Sequence, residues 1–374
     1  MRRKDRSFAA LSAILLSITL CTAVYAGEHS SVVNESPIVL RTQGSFTVGG
    51  ATLTHKGTFS RDHFLEPQGQ TAYGDHAYVF YQIPVDAKTY PIVFQHGGAQ
   101  TKRTWESTLD GREGFQNLFL RKGYSVYLLD QPRMGEAGLA LKADSGKNPY
   151  AANPLYADKT LYELCRIGVY PNQFKTSQFP KGDAALDAFQ RSWTTYSGEL
   201  DDDLNAQALS ALFEKIGPAI LFTHSMGGTI GWRTPILTDR VKAIVAFEPG
   251  GTPFIFPEGE VPEALPTTYA PVIATAKPVP LKDFEKLIKV PMLLLYGDNI
   301  AEQSSKQIGP DKWRSELDMA KKFVAAVNRH GGNAELIHLP DIGIRGNTHF
   351  LMSDLNNEEI ADLTQKWLKK QNLD

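Results

Sequence analysis

Cysteine is almost missing from this chain: two residues in 374, Cys21 and Cys165. With Cys21 inside the apolar leader discussed below, Cys165 stands alone, and one thiol cannot form an internal disulfide. Stability must therefore come from a buried core and not from cross-links. Cys165 lies in the apolar stretch "LYELCRIGVY", which suits a packing residue better than a nucleophile. Basic blocks are missing too. The net charge is -2, and the first 26 residues hold four of the basic groups and one acid, leaving the remainder at about -5. No lysine- or arginine-rich stripe recurs afterwards, which argues against a nucleic-acid partner. There is no internal repeat, no low-complexity tract, no metal-ligand spacing and no nucleotide-binding glycine pattern. No cofactor and no metal are expected.

Long apolar runs are confined to the start. In "MRRKDRSFAALSAILLSITLCTAVYAGEHS" a basic head precedes an apolar stretch from Phe8 to about Val24, followed by a V-Y-A cleavage pattern ending at Ala26. A membrane anchor needs roughly 20 apolar residues. This stretch is shorter and is broken by serines, so residues 1–26 are expected to be a cleaved signal peptide, with no stable membrane anchor afterwards. The protein is then exported, either to the periplasm or out of the cell.

What remains has an alternating architecture. "GSFTVGGATLTHKGTFS" predicts a hairpin turned at Gly49-Gly50, and "HAYVFYQIPV" a third strand. Then come "YPIVFQHGG", "GYSVYLLDQ", "AILFTHS", "VKAIVAFEPGG", "PMLLLYGDN" and "AELIHLPD". These short, nearly continuous apolar runs suit strands buried on both faces of a parallel sheet. Helical patterns over about 113–122, 204–216, 227–237, 313–330 and 358–370 separate or follow them. The expected fold class is α/β, a mostly parallel sheet entered through an antiparallel N-terminal edge. Residues 27–374 read as one domain with insertions at about 132–200 and 251–290. Connections of that length act as lids or stay disordered. The first is rich in aromatics and reads as a packed lid.

The chemistry starts at Ser225, in "AILFTHSMGGTIGW". A serine between an apolar strand and a Gly-containing helix start fits the strand-to-helix turn that displays a nucleophile, usually G-x-S-x-G. Thr223 takes the place of the first glycine, while Gly227 and Gly228 follow. The competing reading is an ordinary helix N-cap. A serine hydroxyl needs a base, and there are nine histidines. His224 adjoins the serine and must point elsewhere at a tight turn, and His338 sits within a strand. His349 lies in "DIGIRGNTHFLM", a loop after the last strand that opens at the same sheet edge as Ser225. The base in turn needs an acid. Glu248 and Asp298 each end a strand between Ser225 and His349, matching the order nucleophile, acid, base. Spacing does not decide between them. An oxyanion hole could come from the N–H of Met226 and from the loop carrying Gly97 and Gly98.

Taken together, these segments resemble the α/β-hydrolase superfamily, and within it a small group of secreted bacterial esterases whose acid is a glutamate after the sixth strand. The likeness is carried by "HGGAQTKRTWE", "FLRKGYSVYLLDQ", "FKTSQFP", "THSMGG", "VAFEPGG" and "GIRGNTHFLMSDLNNEEIADL", over roughly residues 91–370. The resemblance implies Ser225 as nucleophile, His349 as base and Glu248 as acid, with Asp298 the alternative acid reduced to a structural carboxylate. It places the oxyanion donors at the N–H groups of Gly98 and Met226. The implied activity is a serine carboxylic-ester hydrolase working through an acyl-enzyme on small to medium, apolar or aromatic esters. The alternatives are an amidase or peptidase with the same triad, and a non-catalytic hydrolase-fold binding protein.

Overall fold

Apolar runs with no polar alternation have to be covered on both faces, and the sheet is built accordingly. The computed structural model describes residues 36–141, 157–269 and 273–374. The expected signal peptide and part of each long connection lie outside them. Eight strands form one sheet: β1 (Leu40–Thr54), β2 (Thr71–Pro84), β3 (Ile92–Gln95), β4 (Val126–Asp130), β5 (Ala219–His224), β6 (Val241–Phe247), β7 (Met292–Tyr296) and β8 (Ala334–His338). Their order is β1-β2-β4-β3-β5-β6-β7-β8. The pairs β1–β2 and β2–β4 are antiparallel, and every other neighbour is parallel.

Side chains of the central strands alternate between two cores. On β5, Leu221 joins one and Ile220 and Phe222 the other, all fully buried. Helices α2 (Asp202–Ile216), α3 (Gly227–Leu237) and α4 (Ile308–Arg329) cover the first face, and α1 (Phe115–Arg121) and α5 (Asn357–Lys370) the second. The mixed α/β sheet with an antiparallel N-terminal edge is therefore as expected, and all six apolar runs are strands of it.

The hairpin at Gly49-Gly50 is not there. The strand runs straight through, with Gly49 paired to His76 and Ala51 to Gly74. Two adjacent glycines mimic a turn signal, but here they serve close packing. A Cβ on Gly49 would stand 3.1 Å from the Ala208 backbone of α2, and one on Gly50 would stand 2.7 Å from the Gly74 carbonyl oxygen. The reversal comes instead after Thr54.

The long connections carry short elements of their own. Residues 157–200 contain helices Asp158–Leu164 and Asp183–Arg191 and a two-stranded ribbon, Gly168–Val169 with Asn172–Gln173. The second connection adds a parallel pair, Phe254–Pro257 with Ala276–Val279, and its Phe254, Ile255 and Phe256 are buried in the main core.

Thr223, where the usual pattern has glycine, fits because α3 gives way to it. A Cβ on Gly231 would lie 2.9 Å from the Thr223 methyl, so the bare helix position makes room for it. The Thr223 hydroxyl is buried with no hydrogen-bond partner among the described residues. An unpaired buried hydroxyl costs about 1–3 kcal/mol. Thr223→Val, which keeps the shape, should hold or raise the urea midpoint. Gly231→Ala should lower stability by about 1–3 kcal/mol through overpacking. A marked loss in Thr223→Val would mean that the hydroxyl is paired after all.

Candidate active site

The carboxyl ends of β5 and β6 turn out of the sheet in the same way. Ser225 follows β5 with φ 53° and Glu248 follows β6 with φ 51°. A side chain in the left-handed region costs roughly 1–2 kcal/mol, and at both positions neighbouring backbone holds it there. The Ser225 N–H donates to the Phe247 carbonyl at 3.0 Å, and the Ser225 carbonyl accepts from Gly228 at 3.0 Å and Gly250 at 3.3 Å. The elbow and the Glu248 loop are thus pinned to each other. Gly97 closes in from β3: a Cβ there would stand 2.9 Å from the Ser225 Cβ.

His349 comes from the loop after β8 and is 5% exposed. Its Nδ1 lies 3.3 Å from Glu248 Oε2. Glu248 is fully buried, and its Oε1 accepts from the Arg166 guanidinium at 2.7 Å and from the Gly297 N–H. Burial alone would raise the Glu248 pKa. The Arg166 charge and the hydrogen bond and charge of His349 outweigh it, and hold the carboxyl at about 2. An ionised carboxylate can only accept, so Nδ1 of His349 carries the proton and Nε2 is left as a free base. For His349, burial lowers the pKa to about 4. Glu248 opposes this with its hydrogen bond and charge, while the charges of Arg166 and Lys312 add to it.

Ser225 and His349 line one cavity of about 240 Å³, together with Gly98, Met226, Leu161, Leu164, Trp193, Lys312 and Trp313. The Trp313 ring packs against the His349 ring, centroids 4.2 Å apart and planes tilted by 33°. Among the described residues, neither the Gly98 N–H nor the Met226 N–H is donated to another acceptor. A Cβ on Gly98 would collide with the Met226 sulfur at 2.2 Å, so the Met226 side chain packs directly on the Gly98 backbone.

Asp298 is engaged elsewhere. Its carboxylate accepts from Asn299 at 2.6 Å and from Gly346 at 2.8 Å, capping backbone N–H groups of its own turn and of the His349 loop. Glu248 is the carboxylate next to the imidazole. His224 does not line the cavity and has a use of its own: its Nε2 donates to the His349 carbonyl at 2.9 Å, tying down the backbone of the His349 loop. His338 pairs locally with Asp341 at 3.4 Å. Burial pushes the Cys165 thiol up to about 12, so it packs as a neutral group.

Residues 92–370 match the profile of the alpha/beta hydrolase family. The chain belongs to this family. A probable secreted lipase of a fungal species, phiG, is 30% identical over 326 residues, spanning 79% of this chain and 86% of the lipase. A solved structure of a novel bacterial esterase is 31% identical with a TM-score of 0.72, and the match covers 90% of this chain and 98% of the esterase. This hydrolase is accordingly of esterase or lipase type, a carboxylesterase-class enzyme.

Arg166 escaped the sequence reading. It sits 82 residues from Glu248 along the chain, and nothing in "LYELCRIGVY" marks it except a charge in an apolar stretch. That charge is the signal: a fully buried arginine requires a buried partner. Its Nε also donates to the Asp298 carbonyl at 2.8 Å. Removing one member of a buried pair costs about 3–5 kcal/mol. Arg166→Met should therefore lower stability in urea denaturation by that order. A loss below about 1 kcal/mol, the range of exposed pairs, would contradict the pairing.

Proposed function

We propose that this hydrolase cleaves carboxylic esters through an acyl-enzyme, with Ser225 as nucleophile, His349 as general base and Glu248 as the acid that orients it. The observation carrying this reading is the buried His349–Glu248 contact beside a cavity that Ser225 also lines. Nε2 of His349 takes the proton as the Ser225 hydroxyl attacks the ester carbonyl. The oxyanion is received by the N–H groups of Gly98 and Met226, whose effect is largest in a site that excludes water. His349 then gives its proton to the leaving alcohol, and water activated by the same nitrogen releases the acid.

The substrate we infer is a small to medium ester with apolar or aromatic groups. The cavity walls Leu161, Leu164, Trp193 and Trp313 support this, as does a volume below the roughly 300 Å³ at which drug-sized pockets begin. The glutamate after β6 supports placing the chain with the secreted bacterial esterases whose acid is at that point. We also propose export through residues 1–26, to the periplasm or beyond. In support, the fungal relative is named as a probable secreted lipase.

With a chromogenic short-chain ester, Ser225→Ala should lower kcat by about four or more orders of magnitude. Glu248→Gln should be severe and Asp298→Asn mild, and the reverse ranking would reassign the acid. Active Ser225→Ala would end the reading altogether.

The pH profile follows from the imidazole. Its pKa lies below the ordinary 6.5, at about 4, so the base stays neutral down to that range. kcat/KM should therefore hold steady on acidification through pH 6 and fall only near pH 4. The same depressed pKa stabilises the fold above pH 6.5, a contribution lost as pH drops from 6.5 through 4. An acid limb centred near pH 6.5 would show an imidazole that is solvated and not buried.

A further inference from the structure

The cavity contains one charged side chain that the acyl-transfer scheme does not use. Lys312 lines the same space as Ser225 and His349, with its side chain 16% exposed. Its ammonium lies over the Trp313 ring, 4.0 Å from the centroid, and the same ring lies 4.2 Å from the His349 ring. Among the described residues its single hydrogen-bond acceptor is Glu316, at 3.1 Å. An ammonium has three donors, so capacity remains toward the cavity.

Helix energetics alone only weakly favour a lysine here. Lys312 is the fifth residue of α4, just past the first turn, so the helix dipole does nothing to favour a cation there. Lysine four residues before glutamate is also the weaker order for such a pair. Glu316 is itself buried and has Lys312 as its counter-charge, while its Oε1 also accepts the Gly251 N–H at 2.9 Å and its carboxylate packs against Gly250. Moreover, the Lys312 charge works against protonation of His349, which is what the base must undergo. Glu316 is the counter-charge that the structure provides, and the donors of Lys312 left over belong to a cation lining a cavity with largely apolar walls, where a second pairing would be strong.

We propose that Lys312 is an anion subsite, and that the natural substrate is an ester carrying a carboxylate on its acyl or alcohol part, seated against this ammonium. This rests on the ester-hydrolase reading above and narrows it: the body of the substrate meets the apolar walls, and its charged end meets Lys312. Binding such a group neutralises the lysine beside the base, so the correct substrate makes His349 easier to protonate.

The test uses two matched ester pairs with the full-length enzyme. One pair places the charge on the acyl side, the phenyl monoester of adipic acid against phenyl hexanoate. The other places it on the alcohol side, meta-acetoxybenzoate against its methyl ester. The quantity read is the ratio of kcat/KM, charged over neutral, corrected for spontaneous hydrolysis. In the wild type that ratio should exceed one in at least one pair and fall as ionic strength rises, a readout independent of any variant's folding. In the same pair Lys312→Met should lower the ratio about tenfold or more, as loss of a charge-assisted hydrogen bond would, and Lys312→Arg should retain most of it. A wild type that prefers the neutral ester in both pairs, or a ratio untouched by Lys312→Met, overturns the subsite. No hydrolysis of any of the four esters overturns the hydrolase reading itself, and the subsite with it.

Discussion

A carboxylate shut away from water at the end of β6 has to be matched by a positive charge, and much of the site is arranged around meeting that need. Glu248 is fully buried, and the guanidinium that matches it comes from Arg166, in the insertion after β4. The preceding residue is involved too, because the Cys165 carbonyl accepts the His349 N–H at 2.9 Å. Two consecutive residues therefore hold the proposed acid by its side chain and the proposed base by its backbone. Arg166 turns between those tasks with a left-handed backbone, φ 57°. Trp313 of α4 ties the same insertion down by donating to the Leu164 carbonyl at 2.8 Å. The insertion is thus a part of the site as much as a cover over it.

The second constraint is space at the strand ends. Ala99, Ser225, Glu248 and Asn299, which come just after four parallel strands, all have positive φ. Each turn costs a little and aims a side chain or an N–H at the same edge, which is where open α/β sheets bind ligands. Glycines make room for the crowding that results. A Cβ on Gly227 would stand 2.8 Å from the His96 carbonyl oxygen, and one on Gly228 2.8 Å from Pro249. The large two-faced core absorbs the strain that these turns store.

How much of this could be read from the residues alone depended on whether the information was local. The six apolar runs were legible because burial on both faces leaves no polar alternation. That Ser225 and His349 would meet at one cavity was legible because chain order and strand ends constrain where a proposed nucleophile and base can sit. Glu248 and Asp298 were not separable by spacing, since both follow neighbouring strands. What distinguishes them is a detail of side-chain reach, with Glu248 facing the imidazole and Asp298 turned back onto the N–H groups of Asn299 and Gly346. Arg166 and the support from His224 were hidden, because each depends on a contact with a residue more than eighty positions away. Gly49-Gly50 misled for the opposite reason: the local signal for a turn was real, and a long-range contact with α2 overrode it.

The charges around His349 also bear on how acyl transfer would proceed. Glu248, Arg166 and Lys312 all act on the imidazole, and Lys312 is itself paired with the buried carboxylate of Glu316 at 3.1 Å. Attack by Ser225 would create two charges together, an imidazolium and an oxyanion. The two cations would oppose the first and favour the second, supporting the tetrahedral intermediate at the expense of its base. Glu248 limits that expense locally, through a contact aimed at Nδ1. Of these charged groups Lys312 is the one that lines the cavity. A carboxylate brought in by the substrate would offset its effect on the imidazole at the moment of reaction, and not before.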